Sequence, residues 1–197
     1  MREMIKMVVV LTILSSVSGG LLAAVRNGTK DKIENQQLQL VKGPAIRAIL
    51  EGCSNDPVAD RFKITAGATE RSFFVGVFDG AAQTVAFETF GKGYGGDVGL
   101  MVAINLTDDT LVGAGVTTHS ETPGLGAKSK TDPGFARQFK GISAVAPIKV
   151  TNDGGAINAL SGATITSRAV CAAATEAGQI YQRLKPQIEE QLQSFTQ

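Results

Sequence analysis

Residues 161–168 read Ser161-Gly162-Ala163-Thr164-Ile165-Thr166-Ser167-Arg168, and they begin the last helical pattern of the chain. The glycine allows a sharp turn and a close approach of the backbone to a ligand. The first N–H groups of the helix that follows have no partner within the helix and point towards an anion at its N-terminus. The hydroxyl groups of Ser161, Thr164 and Thr166 add hydrogen-bond capacity, and one of them could carry a phosphoester. The stretch therefore predicts a phosphate site; the alternative is an ordinary N-cap made by a serine or threonine.

A second stretch, His119-Ser-Glu-Thr-Pro-Gly-Leu-Gly-Ala-Lys128, lies upstream of the first. Pro123 stiffens this turn, whereas Gly124 and Gly126 permit close packing. Both stretches resemble motifs of the FMN-binding subunits of respiratory electron-transport complexes. Together with an apolar N-terminus, they make nearly the whole chain similar to the G subunits of Rnf-type ion-translocating electron transport complexes. The C subunits of sodium-translocating NADH:quinone reductases are related, and the second stretch does not separate the two families.

This resemblance implies a covalent cofactor. In the resembled family, FMN is joined through its phosphate to the hydroxyl of a motif threonine, which corresponds here to Thr164. The family usually has an aspartate three residues before the motif serine, at a position read by the flavin transferase that attaches the FMN. Here that position holds Asn158, and Asp153 lies out of register. The departure bears on flavin attachment rather than on flavin binding.

The resemblance also implies contacts to the isoalloxazine ring. Leu125 is expected against the ring face, and Glu121 and Thr122 at the ring edge. Lys128 is expected to stabilise a reduced, anionic flavin, and Tyr94 to stack on the ring or border it. An ordinary surface turn also favours Pro, Gly and Thr, and a tyrosine can simply cap a core. The candidate cofactor-binding residues are Thr164 (covalent), Ser161, Gly162, Ala163, Thr166, Glu121, Thr122, Gly124, Leu125, Gly126, Lys128 and Tyr94.

The N-terminus predicts a membrane anchor. Residues 7–25 contain no charged residue, and at about 1.5 Å per residue they nearly cross a hydrocarbon core of roughly 30 Å. Two basic residues precede the stretch and three follow it, so the positive-inside rule is indecisive and slightly against an inside N-terminus. A cleaved signal peptide is the main alternative, since small residues follow the apolar run. The resembled family retains its anchor and places the soluble domain on the extracytoplasmic, or periplasmic, side of the cell (inner) membrane.

Composition argues against several other functions. The net charge is +1, acidic and basic residues are interspersed, and there is no tryptophan, so no nucleic-acid partner is expected. The two cysteines, Cys53 and Cys171, lack metal-ligand spacing and cannot supply the four thiolates of a usual iron–sulfur cluster. Cys171 is expected to be a buried apolar thiol, although a disulfide between the two remains open.

Hydrolytic chemistry finds little support. The single histidine, His119, could act as a base with Ser161 or Ser120, but no Gly-x-Ser-x-Gly elbow is present. The adjacent carboxylates Asp108 and Asp109 are better explained by a hairpin turn. An electron carrier needs no acid–base machinery, because a flavin supplies the redox chemistry and the protein holds and tunes it.

Hydrophobic patterns predict strands over residues 72–78, 84–90, 98–105, 111–118 and 148–150, with a hairpin turn at Asp79-Gly80. They predict helices over residues 30–50, broken at Gly43-Pro44, near 135–139, and over 164–184, resuming after Pro186. The grouping predicts an α+β fold, with an antiparallel sheet covered by helices on one side. The expected organisation is an anchor over residues 1–29, a membrane-proximal helical linker over 30–60 and an FMN-binding domain over 61–197.

These features predict a membrane-anchored flavoprotein subunit. It would relay electrons through one covalent FMN between ferredoxin and NAD (or a cytochrome), coupled to sodium or proton movement. Its partners would be the other membrane subunits of the complex, with a flavin transferase for maturation, and it would have no substrate site of its own. Two alternatives stay open: a C-type subunit of a sodium-translocating NADH:quinone reductase, and a non-redox anchored binding module.

Overall fold

A computed structural model describes residues 2–66 and 69–195, which form two compact units, Met1–Gln39 and Leu40–Gln197. Helix α1 (Arg2–Gln37) makes up nearly all of the first unit. Its Arg2–Lys30 portion is long and apolar enough to cross a membrane, and its apolar side chains are exposed. A helix of this length and composition is suited to crossing a hydrocarbon core of roughly 30 Å.

The second unit is built on a five-stranded antiparallel sheet in the order β1-β2-β3-β4-β5. Its strands are β1 (Arg61–Ala66), β2 (Thr69–Phe78), β3 (Ala81–Lys92), β4 (Asp97–Asn105) and β5 (Thr110–Val116). The predicted α+β class is confirmed, and so is the hairpin turn, where Asp79 and Gly80 have φ of 51° and 78°. Two consecutive positive φ angles suit the tight turns that join twisted strands.

Helix α5 (Thr164–Leu192) covers one face of this sheet. Alternate residues of β2 to β5, among them Phe73, Phe87 and Leu100, pack with its buried side into one hydrophobic core. Each large side chain buried in this way contributes roughly 1.5–3 kcal/mol. Pro186 was expected to interrupt the helix, and this expectation is wrong. The helix continues because residues beyond the proline, including Ile188, are buried in the same core.

The opposite face of the sheet is covered too, by helix α2 (Gly43–Ile49), which corrects the expectation of one covered face. Ile46 and Leu50 are fully buried there. A Cβ at Gly113 or Gly115 would lie 3.2 Å from the Ile49 side chain, so these positions leave room for α2. Helices on both faces explain why β4 is buried at nearly every residue.

Three other local expectations are corrected. Strand β1 was not predicted, although Phe62 and Ile64 are buried and alternate with exposed residues such as Lys63. Residues 148–150 make only one bridge, from Val150 to Ile157, instead of a strand. The chain is not broken at Gly43-Pro44, because a π-helical turn (Leu38–Lys42) leads directly into α2.

Two short helices complete the unit between β5 and α5. Helix α3 (Lys128–Thr131) directly follows the second motif, and helix α4 (Pro133–Arg137) follows α3. The Asp132 side chain caps α4 by accepting the Gly134 N–H at 2.8 Å. Phe135 and Phe139 then anchor this region in the core, with their rings edge to face at 5.6 Å. The two sequence motifs are thereby held at one end of the sheet.

Candidate functional site

The start of α5 is a turn without a side-chain cap. The Ala163 N–H donates to Leu160 O at 3.0 Å, and Gly162 adopts a φ of +76° that L-residues rarely tolerate. The N-cap residue is Ala163, which makes no side-chain capping bond. The first amide hydrogen bond of the helix runs from Ser167 N to Ala163 O at 2.9 Å. The alternative of an ordinary serine or threonine cap is therefore wrong, and the first-turn amides remain available to a ligand.

Residues 161–164 and Thr166 of the first stretch differ in how exposed they are. Ser161 and Gly162 are exposed, Ala163 is buried, and Thr164 is partly buried at the first position of the helix. Thr166 is only 2% exposed, and its hydroxyl donates to Glu121 Oε2 at 2.5 Å. Thr166 thus reaches the second motif with its side chain, while its amide belongs to the first turn.

Glu121 links three segments of the chain. It is 6% exposed, its Oε2 accepts from Thr166, and its Oε1 accepts the Gly95 N–H at 2.9 Å. Burial raises the pKa of Glu121. Hydrogen bonds from Thr166 and from the backbone amides of Gly95 and Tyr94 lower that pKa by more, so it lies below its ordinary value of 4.5. The side chain is therefore a buried carboxylate that holds the Tyr94 loop and the second motif against α5.

The turn after Glu121 lies against the α5 start. Thr122 O accepts the N–H groups of Leu125 and Ala127, both at 3.2 Å. A Cβ at Gly126 would lie 2.5 Å from Glu121 Oε2, so only glycine fits beside this carboxylate. Leu125 lies near the first stretch, residues 161–168, since a Cβ at Gly162 would be 3.1 Å from Leu125 Cδ2. The structure thus brings together the two motifs that the sequence separates.

Three apolar side chains of these segments are unusually exposed. Tyr94 is 75% exposed, Ile165 is 50% exposed and Leu125 is 46% exposed. Exposed apolar side chains on neighbouring segments commonly mark a ligand surface. Ile165 was not among the predicted residues, although its place in the first turn of α5, directly after Thr164, could have identified it.

Arg168 and His119 have protein partners near the site, whereas Lys128, Gly124 and Thr122 are exposed. Arg168 makes a double ion pair with Asp153, with both N–O distances at 2.7 Å. Lys128 is exposed at the start of α3. His119 Nδ1 accepts the Glu121 N–H at 3.2 Å, which is a local turn contact. Gly124 and Thr122 are exposed in the turn.

Asp108, Asp109 and the cysteines have structural surroundings. Asp108 accepts from Thr110, whereas Asp109 accepts from Tyr181 and Lys185. Both cysteines are free thiols. Cys171 is buried as expected, and burial raises the pKa of its thiol to about 11, which makes it a poor nucleophile at neutral pH.

A family model described as the FMN-binding domain matches residues 93–179. This range contains every predicted cofactor-binding residue. Two solved structures share the fold: the C subunit of the Na(+)-translocating NADH-quinone reductase from Parabacteroides distasonis, with a TM-score of 0.56, and the corresponding protein of Shewanella oneidensis, with 0.51. They are 20% and 24% identical and cover 74% and 71% of this chain, and the matches span 93% and 72% of those chains.

Curated relatives are more similar in sequence. The G subunit of the ion-translocating oxidoreductase complex of Cereibacter sphaeroides is 36% identical over 81% of this chain and 76% of its own length. The protein of the same name from Methanosarcina acetivorans is 32% identical, over 86% and 89%. The G subunit of the proton-translocating ferredoxin:NAD(+) oxidoreductase complex of Clostridium ljungdahlii is 32% identical, over 85% of each chain. With this identity over most of both chains, the protein belongs to the family of G subunits of ion-translocating oxidoreductase complexes.

Proposed function

We propose that this protein is a membrane-anchored electron relay within an ion-translocating ferredoxin:NAD-type complex. Its domain holds one FMN at the start of α5, joined by a phosphoester to Thr164. Helix α1 anchors the chain, and the soluble domain lies on the extracytoplasmic side. The protein has no substrate site of its own, and it exchanges electrons with the other membrane subunits.

One observation carries this proposal: the buried hydrogen bond between Thr166 and Glu121. It fastens the turn Thr122–Gly126 beside the uncapped N-terminus of α5. A helix N-terminus suited to a phosphate and a glycine-rich turn suited to a flat ring are then adjacent, which supports an FMN site at this place.

The α5 N-terminus fits the phosphate. Its N-cap side chain makes no capping bond, so the amides of residues 164–166 are available. A helix of this length also places about half a positive charge at its N-terminus, which stabilises an anion by roughly 0.3–1 kcal/mol, or more when partly buried. Ser161 adds an exposed hydroxyl, and Gly162 keeps the approach open.

The exposed apolar side chains fit the ring. Leu125, Ile165 and Tyr94 would cover its faces and exclude water from it. Glu121 uses both carboxylate oxygens on the protein, so its role is to position the turn, with Thr122 left for the ring edge. Lys128 adds a positive charge at the end of the turn, where it would favour electron density on the ring.

Bound FMN supplies the electron-transfer chemistry, and the chain supplies its binding, orientation and surroundings. Attachment forms a bond between Thr164 Oγ and the flavin phosphorus. The bond from that phosphorus to the leaving group of an activated flavin donor, a flavin dinucleotide, breaks. The hydroxyl proton leaves to the medium, and a nucleoside monophosphate departs. A flavin transferase is the expected catalyst.

The mass of the intact denatured chain tests this assignment. The full chain is co-expressed with a flavin transferase as wild type, Thr164→Ala and Thr164→Ser. We expect a gain of one FMN less one water in the wild type and in the serine variant, which keeps a hydroxyl, but none in the alanine variant. An unmodified wild-type mass would contradict covalent attachment, and a native protein without flavin absorbance would contradict the electron-relay role.

The identity of the complex has a separate test. When the tagged full chain is purified from the organism that encodes it, the other subunits of a ferredoxin:NAD-type complex should co-purify. Recovery of NADH:quinone reductase subunits instead would favour the C-type alternative, with which the protein shares its fold.

A further inference from the structure

The segment before Thr164, residues 157–163, is held in shape by the protein itself; we name it the attachment loop. At its start, Ile157 is fully buried, its N–H donates to Lys149 O at 3.2 Å, and its carbonyl accepts the Thr151 N–H at 2.8 Å. At its end, Ala163 is buried and bonded to Leu160 O. Both ends are therefore fixed to the core.

Gln138 clamps the loop one residue after its start. Its Oε1 accepts the Asn158 N–H at 2.8 Å, and its Nε2 donates to Asn158 O at 3.2 Å. Both backbone groups of Asn158 are thus paired with one side-chain amide, as they would be with a neighbouring strand. Gln138 is itself well placed, because it lies between Phe135 and Phe139, which are 3% and 1% exposed in the core.

Ser167 holds the second half of the attachment loop by two hydrogen bonds. Its Oγ accepts the Leu160 N–H at 3.0 Å and donates to Ala163 O at 3.0 Å. Ser167 is fully buried within the first turns of α5. The backbone of the loop is therefore fixed at Asn158, Leu160 and Ala163 by residues outside the phosphate site.

The loop has a buried side and an exposed side: Ala159 and Leu160 pack against the core, as does Ile157. Asn158, Ser161 and Gly162 are exposed, and Thr164 is partly exposed. A rigid backbone that presents exposed side chains is a surface that a second protein can recognise at little entropic cost, since the loop is already ordered.

From these contacts we propose that Gln138 is a positioning residue for flavin attachment: the flavin transferase recognises the attachment loop in the folded chain, in the shape that Gln138 imposes. The inference rests on the proposed covalent FMN at Thr164. In the attachment step the Thr164 Oγ–P bond forms, the P–O bond of the flavin dinucleotide breaks, and the nucleoside monophosphate and one proton leave. Gln138 touches none of these atoms and acts through the backbone of Asn158.

The test is the rate of flavin attachment to the purified full-length protein, expressed without a transferase. A transferase and a flavin dinucleotide are then added, and the intact mass is followed at several protein concentrations. Gln138→Met keeps the approximate size of the side chain and removes both hydrogen bonds, and Gln182→Met, at an exposed glutamine of α5, is the matched control. Because the attachment loop would no longer be held in one shape, kcat/KM for Gln138→Met should fall about five- to tenfold, which corresponds to about 1.0–1.4 kcal/mol. The control should react at the wild-type rate.

A second measurement separates positioning from unfolding. Amide exchange should become faster in the peptide that contains Asn158 of Gln138→Met, while the sheet keeps its protection. A Gln138→Met protein that reacts at the wild-type rate would overturn the inference and leave covalent attachment intact. A slow rate accompanied by faster exchange throughout the sheet would also overturn it, because the loss would then come from global destabilisation. A wild-type chain that gains no FMN would overturn the proposed attachment itself.

Discussion

Glu121 shows at the scale of one residue how the site is assembled. The resemblance to the FMN-binding subunits predicts that Glu121 makes a polar contact with the edge of the flavin ring. Its partners were not predictable, since Thr166 is 45 residues away in sequence and Gly95 is 26 away. A local pattern indicates that a turn exists, whereas the contacts that bury a charge depend on the tertiary fold.

The Glu121 carboxylate should stabilise the domain in a pH-dependent way. Its folded pKa lies below its ordinary value, so its contribution is present at neutral pH and is lost as the pH falls below about 4.5. Glu121→Gln should therefore be less stable than wild type at pH 7, by roughly 1–3 kcal/mol. The difference should narrow at pH 4. Thermal unfolding of both proteins in detergent at the two pH values measures it, and a difference independent of pH would contradict the assignment.

At the scale of elements, a chain of polar contacts connects the π-helical turn before α2 to the end of β5 and to α3. Lys42 Nζ lies 2.7 Å from Glu88 Oε2, and Thr117 Oγ donates to Glu88 Oε1 at 2.5 Å. Lys130 Nζ in turn donates to Thr117 O at 2.6 Å. Thr117 immediately follows β5 and lies two residues before the second motif, residues 119–128. These contacts therefore fix where the second motif begins. Lys42 is the last residue of the π-helical turn, a rare element often found at functional sites.

The Lys42–Glu88 pair should show strong coupling. The side chains are only 28% and 11% exposed, so the loss of either partner leaves a poorly solvated charge. Lys42→Met and Glu88→Gln should each lower the Tm, and the double variant should lose less than the sum, with a coupling energy of roughly 0.5–3 kcal/mol. The exposed pair Lys63–Glu70 is the control, where a coupling of about 0–1 kcal/mol is expected. Additive effects at Lys42 and Glu88 would refute the connection.

The elements also show why some sequence predictions held. Strands β2 to β4 were predictable because their apolar and β-branched residues form continuous runs. β1 was missed because basic residues alternate with Phe62 and Ile64, which is ordinary for an edge strand but weak as a signal. Pro186 predicts an interruption of α5, because proline cannot donate the backbone hydrogen bond of a helix. Burial of Ile188 and Leu192 outweighs the loss of that one hydrogen bond, so the helix continues. The π-helical turn leaves no local mark in the sequence.

At the scale of the whole molecule, the basic residues that flank the apolar stretch bear on which side of the membrane the domain lies. Arg2 and Lys6 precede the apolar stretch, whereas Arg26, Lys30 and Lys32 follow it. The positive-inside rule therefore opposes an outside domain by a narrow margin. Orientation should then respond to small changes in these flanks. Alkaline phosphatase, which is active only outside the cytoplasm, and a fluorescent protein that matures only inside report the two states when fused after Gln197.

We expect phosphatase activity and no fluorescence from the wild-type fusions, because the proposed function places the soluble domain on the extracytoplasmic side. Lys30→Gln combined with Lys32→Gln leaves one basic residue after the apolar stretch and two before it. The fraction of molecules whose domain lies in the cytoplasm, reported by fluorescence, should therefore fall. Replacing Arg2 and Lys6 by glutamine should act in the opposite direction and raise the fluorescent fraction. A fluorescent wild-type fusion without phosphatase activity would place the domain inside. Flavin attachment and electron exchange would then have to take place in the cytoplasm.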